Sequence, residues 1–343
     1  MNKKLQVLLI KTFLISLPLM LLLAYYVIED PFKVIHHYDS FYKNDVRLMD
    51  LNRDYTSTSL FLNNYPVYHY DSFIFGSSRS LTFQCTEWQK YVTSPTYHFD
   101  ANGESLFGVY IKIKYLYEHN MKIKNCIIVV DSGLIAKTNN SDEYIYMKDP
   151  ETSGESRIKF QFEFMKKFLN NKFFPQYFAY KAGKKLPEFL EYFPIVRRWS
   201  FNFNNITNDV IYSEQEKIIQ ENKELYYKKS NNTFYKRDFL NEIMYPGIIK
   251  QEQLKMLYEI KDIFNKFGTS FKIIVYPDYN LVKFNNEDLH YLENIFGSEN
   301  VYDYSGINEI TRNEENYVDF HHARSLVGDK ILKEIYTEKN ELK

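Results

Sequence analysis

Serine, histidine and aspartate stand in two short clusters of this 343-residue chain: Gly76-Ser77-Ser78-Arg79 and Asp319-Phe320-His321-His322. A serine hydroxyl is a weak nucleophile at its own pKa and needs a base within hydrogen-bond reach. A histidine is that base when a carboxylate holds its other ring nitrogen and stabilises the imidazolium that forms. The chemistry these residue types permit is acyl transfer through a covalent serine ester. Glycine ahead of the serines permits a tight turn that presents a hydroxyl. On residue type alone, Ser77 competes with Ser78 and His321 with His322. Each cluster by itself is equally an ordinary turn or an ordinary cap, so the reading requires a fold that brings the two together.

The elements around the clusters predict such a fold. Ser72-Phe-Ile-Phe75 reads as a buried strand running into the first cluster. Tyr97-His-Phe-Asp100 reads as a second short strand, closed by Asn102-Gly103. Leu106, Val109, Tyr110, Ile113 and Leu116 have helical spacing, and Cys126-Ile-Ile-Val-Val130 is a strand apolar enough for burial on both faces. A helix pattern over 250–266 precedes Phe271-Lys-Ile-Ile-Val275, and a helix over 325–337 follows the second cluster. This alternation predicts an α/β domain with a mainly parallel sheet covered on both faces, which binds ligands at the carboxyl ends of its strands. The first cluster lies at such an end. The domain is expected over 71–337, with 137–248 as a largely helical insertion, 31–70 as an irregular juxtamembrane segment and 338–343 as a charged tail.

Lys3 and Lys4 precede a predominantly apolar run from Leu5 to Ile28. Its 24 residues span about 36 Å as a helix, enough for a hydrocarbon core of about 30 Å. No small-residue cleavage site follows the run, and Tyr25 and Tyr26 fit an interfacial aromatic belt. Residues 1–30 are therefore expected to be a cytoplasmic stub and transmembrane anchor. The basic residues ahead of the run, and Glu29 and Asp30 after it, place the remainder outside the cytoplasm.

Composition excludes other classes. With 43 Lys+Arg against 44 Asp+Glu there is no basic excess to engage a phosphate backbone, so nucleic acid is not expected as a partner. Aromatic residues make up 18% of the chain and the 11 glycines and 10 prolines about 6%, which excludes disordered and collagen-like classes. Two cysteines exclude a disulfide scaffold, and Cys126, on a buried strand, reads as a small core residue. No metal-binding spacing, P-loop or dinucleotide fingerprint occurs, so neither metal nor cofactor is expected.

In this combination the chain resembles the SGNH (GDSL-like) hydrolase superfamily, especially its membrane-anchored bacterial members linked to cell-surface glycan acylation. The resemblance covers about 71–337 and the anchor. It implies a three-layer α/β/α fold of SGNH/flavodoxin type. Ser78 matches the nucleophile of the family's first block, and Asp319 and His322 match its last block, with Gly328 in the helix that follows. Val301-Tyr-Asp-Tyr-Ser-Gly306 also looks like these anchored relatives. Ser78 and Gly103 would form the oxyanion hole through their backbone N–H groups. The family's third block carries an asparagine; here Asp131-Ser132-Gly133-Leu134 stands in its place. Arg79 is a candidate for holding an acidic substrate group, or else a solvated side chain. Asp131 either positions the active-site loops or caps the next helix. The function implied is a membrane-tethered serine esterase or O-acyltransferase, acting on an acylated extracytoplasmic glycan or acyl donor. A multipass acyl-donor membrane protein could dock on the insertion. The alternative is a non-catalytic, membrane-anchored scaffold of the same fold.

Overall fold

A computed structural model of the protein describes residues 3–42, 51–183, 201–229 and 234–337. Its strands are β1 (Ser72–Ser77), β2 (Thr96–Ala101), β3 (Asn125–Val130), β4 (Asn202–Phe203), β5 (Val210–Ile211), β6 (Ser270–Val275) and β7 (Val301–Asp303). Five of them form one sheet in the order β2-β1-β3-β6-β7, parallel at every pairing, while β4 and β5 form a separate antiparallel hairpin. The register aligns the carboxyl ends: Ser77 pairs with Ala101, Val130 with Val275, and Val275 with Asp303. The turns and loops leaving these strands therefore share one edge of the sheet. β1 lies between β2 and β3, where the chain reverses its direction across the sheet, the position at which open α/β sheets form their crevices.

The fold is mixed α/β, and the reason is visible in the strands. Phe73, Phe75, Cys126, Ile128, Val130, Ile273 and Val275 enter one buried cluster, and Ile74, Ile127, Val129 and Ile274 enter another. Alternate residues on a strand point to opposite faces, so both faces of the sheet are covered and the strands read as unbroken apolar runs. Leu106–Glu118, Gln251–Phe267 and Asn286–Phe296 are helices that contribute to the first cluster; Cys85–Trp88 and Ser325–Thr337 contribute to the second. Cys85 and Cys126 are both buried and unpaired, one in each cluster.

The segment 31–70 is not the irregular linker that its sequence suggests. Arg53–Tyr68 is a helix, capped by the Asn52 side chain on the Tyr55 N–H. Its buried residues include Arg53, Asp54, Thr56, Ser57 and Thr58 beside Leu60 and Phe61, so no apolar period announces it. The buried charges have partners: Arg53 Nε donates to Asp100 at 2.9 Å, and Lys112 lies 2.6 Å from Asp54. Ahead of this helix, the Asp30 carboxylate accepts the backbone N–H groups of Val34, Ile35 and His36, each at 2.9 Å, and so orders the chain after the first helix.

That first helix, Lys3–Glu29, has a mean hydropathy of 2.4 over its most apolar stretch and is long and apolar enough to cross a membrane. The insertion contains the helices Pro150–Ser153, Arg157–Phe168, Phe173–Lys181 and Ser213–Lys229, and the β4–β5 hairpin. Residues 184–200 and 230–233 of it, and the tail 338–343, lie outside the described residues. The insertion is joined to the sheet: the His98 N–H donates to Thr207 O at 2.9 Å, and the Asn208 amide donates to His98 O at 2.6 Å and to Asp100 at 2.9 Å.

Candidate active site

β1 runs straight into a 3-10 turn, Ser78–Thr82. The turn folds back so closely that a Cβ on Gly76 would lie 2.7 Å from Ser80 Cβ and 3.1 Å from Val129 O. A side chain at position 76 would therefore force the turn apart. Ser77, buried, caps the turn by accepting the Arg79 N–H at 3.3 Å. Ser78 is the serine left facing outward, at the carboxyl end of β1.

The second cluster is folded into a tight loop. Val318 N–H donates to His322 O at 2.9 Å, and Tyr317 bridges to Ala323. Inside it, the Asp319 carboxylate accepts the N–H groups of His321 at 2.7 Å and His322 at 2.9 Å. Its two oxygens each lie 2.9 Å from His322 Nδ1, and His322 Nε2 lies 2.9 Å from Ser78 Oγ. A carboxylate can only accept, so Nδ1 carries the proton and Nε2 presents its lone pair to the Ser78 hydroxyl. Burial raises the Asp319 pKa, but the hydrogen bond and charge of His322, with the two backbone donors, outweigh it and hold the carboxyl below its ordinary value. The structure thus unites Ser78, His322 and Asp319, 244 and 3 residues apart along the chain, in the order hydroxyl, imidazole, carboxylate. His321 points elsewhere: its ring lies against Phe320, tilted by 46° with centroids 4.0 Å apart.

Packing holds the two clusters in this relation. Thr82 Oγ1 donates to Ala323 O at 3.1 Å. The Tyr276 hydroxyl, at the end of β6, accepts the Ala323 N–H at 2.6 Å. Helix Ser325–Thr337 crosses so close to the turn that a Cβ on Gly328 would lie 2.0 Å from Thr82 O. The insertion helix Ser213–Lys229 clamps the histidine loop from the other side. Arg324 forks onto Glu216 at 2.7–3.2 Å, Tyr226 donates to Val318 O at 2.5 Å, and Tyr227 donates to Tyr317 O at 3.0 Å. The Tyr212 ring lies 5.4 Å from the His322 ring.

Gly103 lies two residues beyond Ala101, the partner of Ser77, so it is in the turn after the neighbouring strand, on the same edge of the sheet as Ser78. Its φ of +51° is a conformation that glycine adopts readily. Arg79 turns away from any substrate role as a free cation: its guanidinium lies 3.0 Å from Asp131 and 2.7 Å from Asp278. It therefore braces the ends of β1, β3 and β6, and an acidic substrate group would have to compete with two resident carboxylates. Burial works against the Arg79 charge, but the two aspartates raise its pKa and keep it ionised. One cation shared by two acids leaves an excess negative charge, and burial raises the pKa of Asp278 despite Arg79. Asp131 caps the next helix, its Oδ1 accepting the Leu134 N–H at 2.9 Å at the start of Ser132–Ile135, while its Oδ2 pairs with Arg79.

A buried polar group beneath the turn after β1 was not legible in the sequence. Ser80 Oγ donates to Ser77 O at 2.7 Å and lies 2.7 Å from His98 Nε2, whose Nδ1 is 3.5 Å from Asp209. His98 is fully buried on β2, and Asp209 comes from the hairpin loop of the insertion. A histidine between the aromatic residues Tyr97 and Phe99 of a short strand was the available signal. Among the described residues, no group of three or more His, Cys, Asp or Glu side chains is arranged to hold a metal ion. The chain matches no protein-family model and no curated protein.

Proposed function

We propose that this protein is a membrane-tethered serine esterase or O-acyltransferase of SGNH type, acting on an acylated extracytoplasmic glycan. The observation that carries the reading is the alignment of Ser78 Oγ, His322 Nε2 and Asp319 at 2.9 Å per step. A three-layer α/β/α arrangement, with the site at the carboxyl end of β1, agrees with it. In this reading the Lys3–Glu29 helix is an uncleaved anchor with its N-terminus in the cytoplasm. The insertion is then a surface on which a multipass acyl-donor partner docks.

Ser78 Oγ attacks the acyl carbonyl while its proton passes to His322 Nε2. Asp319 holds the imidazolium through Nδ1–H. The backbone N–H groups of Ser78 and Gly103 receive the developing oxyanion. Collapse expels the alcohol, protonated by His322, and leaves the acyl group on Ser78. Water, or a sugar hydroxyl deprotonated by His322, then attacks the ester and regenerates the serine. The acceptor that reaches the site first decides between hydrolysis and transfer.

The full chain in mild detergent, assayed with p-nitrophenyl acetate beside Ser78→Ala and His322→Ala, tests the mechanism. Both substitutions are expected to abolish release of p-nitrophenolate. Full activity in Ser78→Ala would overturn it.

One observation favours a second reading, a non-catalytic anchored scaffold: the turn Asp131–Leu134 after β3 carries no asparagine, and Asp131 caps a helix there and pairs with Arg79. Removing an oxyanion donor costs about 10²–10³ in rate. Covalent labelling of Ser78 by a fluorophosphonate would count against this reading.

A further inference from the structure

We infer that helices Arg157–Phe168 and Phe173–Lys181 form an interfacial collar, with Ile158, Phe162 and Phe178 seated in the lipid bilayer beside the anchor. The proposal rests on the membrane-tethered reading above and goes beyond it.

The first observation is continuity with the apolar helix. Leu22, Tyr25 and Tyr26, in its last two turns, pack into one cluster with Phe160, Phe164, Phe168, Phe173 and Tyr177. The Tyr26 and Phe168 rings are 4.9 Å apart, and Phe32, three residues beyond the helix, lies 5.0 Å from Phe173 and 5.4 Å from Phe164. Glu29 closes the junction, 2.6 Å from Lys181 Nζ and accepting the Tyr177 hydroxyl at 3.2 Å. Depth follows from length. The 24-residue run from Leu5 exceeds a hydrocarbon core by only about 6 Å, so Tyr25 and Tyr26 fall at the headgroup boundary. Side chains in contact with those rings share that depth.

The second observation is what the collar leaves uncovered. In Arg157–Phe168, residues 160, 164 and 168 face the cluster, while Ile158 and Phe162, one turn apart, are 83% and 52% exposed. Phe178 on the next helix is 56% exposed. A soluble helix that buries one apolar stripe normally gives its remaining surface to polar residues. Here large apolar side chains sit on the outer surface of the helices nearest the span. Beside them, Lys159 and Lys166 are paired with Asp142 and Glu163, which leaves the apolar side chains as the feature that needs a partner. Interfacial helices bury such faces about 5–10 Å into the headgroup and acyl boundary. The occupant is the bilayer itself.

The test uses the full chain in phosphatidylcholine vesicles, with a single environment-sensitive fluorophore on an introduced thiol. Cys85 and Cys126 are buried and leave the introduced thiol as the one that reacts. Ile158→Cys, Phe162→Cys and Phe178→Cys are compared with Leu14→Cys in the apolar helix and with Tyr258→Cys, exposed on Gln251–Phe267. The collar labels are expected to lose emission to doxyl-labelled lipid and to be shielded from aqueous iodide, while Tyr258→Cys behaves oppositely. Lipid quenching at Leu14→Cys with iodide quenching at all three collar positions would overturn the collar and leave the tether standing. Iodide quenching at Leu14→Cys would overturn the tether, and the collar with it.

Discussion

Asp319 is a small residue in a tight loop, and its two oxygens receive the His322 ring and two backbone N–H groups. That arrangement sets the imidazole tautomer, because a carboxylate accepts and cannot donate. In Asp319→Asn the amide can instead donate to Nδ1, which would turn the Nε2 lone pair into an N–H and blunt the base. The expected outcome is a fall in kcat of about 10⁴ with KM little changed, the size seen when a triad aspartate is so replaced. A rise in KM at constant kcat would mean that Asp319 does something other than orient His322. The linkage of the lowered pKa has a definite sign. Asp319 contributes stability above the ordinary carboxylate range, and that contribution is lost as pH falls through its depressed folded value. Residue types in the sequence made Ser78 and His322 candidates beside Ser77 and His321. The family resemblance pointed to Ser78 and His322; in the structure Ser77 faces inward as a cap and the His321 ring lies tilted against Phe320.

Helix Ser325–Thr337 and the turn after β1 carry the two halves of the site, and Gly328 is where they touch. A Cβ there would meet backbone atoms on the opposite side, Thr82 O at 2.0 Å and Thr82 C at 2.7 Å, neither of which can rotate aside. Gly328→Ala is expected to cost on the order of 1–3 kcal/mol, as overpacking does, and to lower kcat because the helix and turn must separate. Unchanged melting temperature and rate would show that this contact does not set the site. At this scale β1, β3 and β6 were legible from their apolar runs, whereas β7, three residues long, and the β4–β5 hairpin were not. Helix Arg53–Tyr68 was not either, since its buried face carries three hydroxyl residues together with Arg53 and Asp54, whose partners Asp100 and Lys112 lie far along the chain. Arg79 shows the same limit: its charge looked available for substrate until Asp131 and Asp278, from two other strand ends, were seen to hold it.

Across the whole molecule, a buried charge cluster ties the Arg53–Tyr68 helix to the edge of the sheet and the start of the insertion. Lys112 and Lys148 contact both Asp54 and Glu104. Burial raises the Glu104 pKa, but the two lysines outweigh it and bring it down to about 2. Two lysines balance two acids, and Asp149 is a third. It donates its backbone N–H to Asp54 at 2.8 Å, and burial, with the charge of Asp54, pushes its pKa up to about 7. A carboxyl that titrates near 3.8 when unfolded and near 7 when folded binds more protons in the native state between those values. Stability attributable to it therefore falls as pH rises from about 4 to about 7. Asp149→Asn keeps the cap on the Glu151 N–H and removes the ionisation. Its melting temperature is expected to exceed the wild type's at pH 8 and to converge with it near pH 4. Equal melting temperatures at pH 8 would mean that Asp149 is ionised at no cost.

The order of apolar runs along this chain was enough to specify a parallel α/β sheet, because a strand buried on both faces has no polar side to hide its signal. The same local chemistry marked a helix long enough to cross a membrane and two clusters whose residue types permit acyl transfer. What it could not contain was any relation between residues distant in sequence. His322 reaches Ser78 because the turn after β1 and the final helix pack at Gly328. Arg79 is occupied because three strand ends meet. Glu216 and Arg324 join because the insertion folds back over the histidine loop. Each of these is a contact between elements, set by how they pack, and packing exists only once the chain has closed on itself.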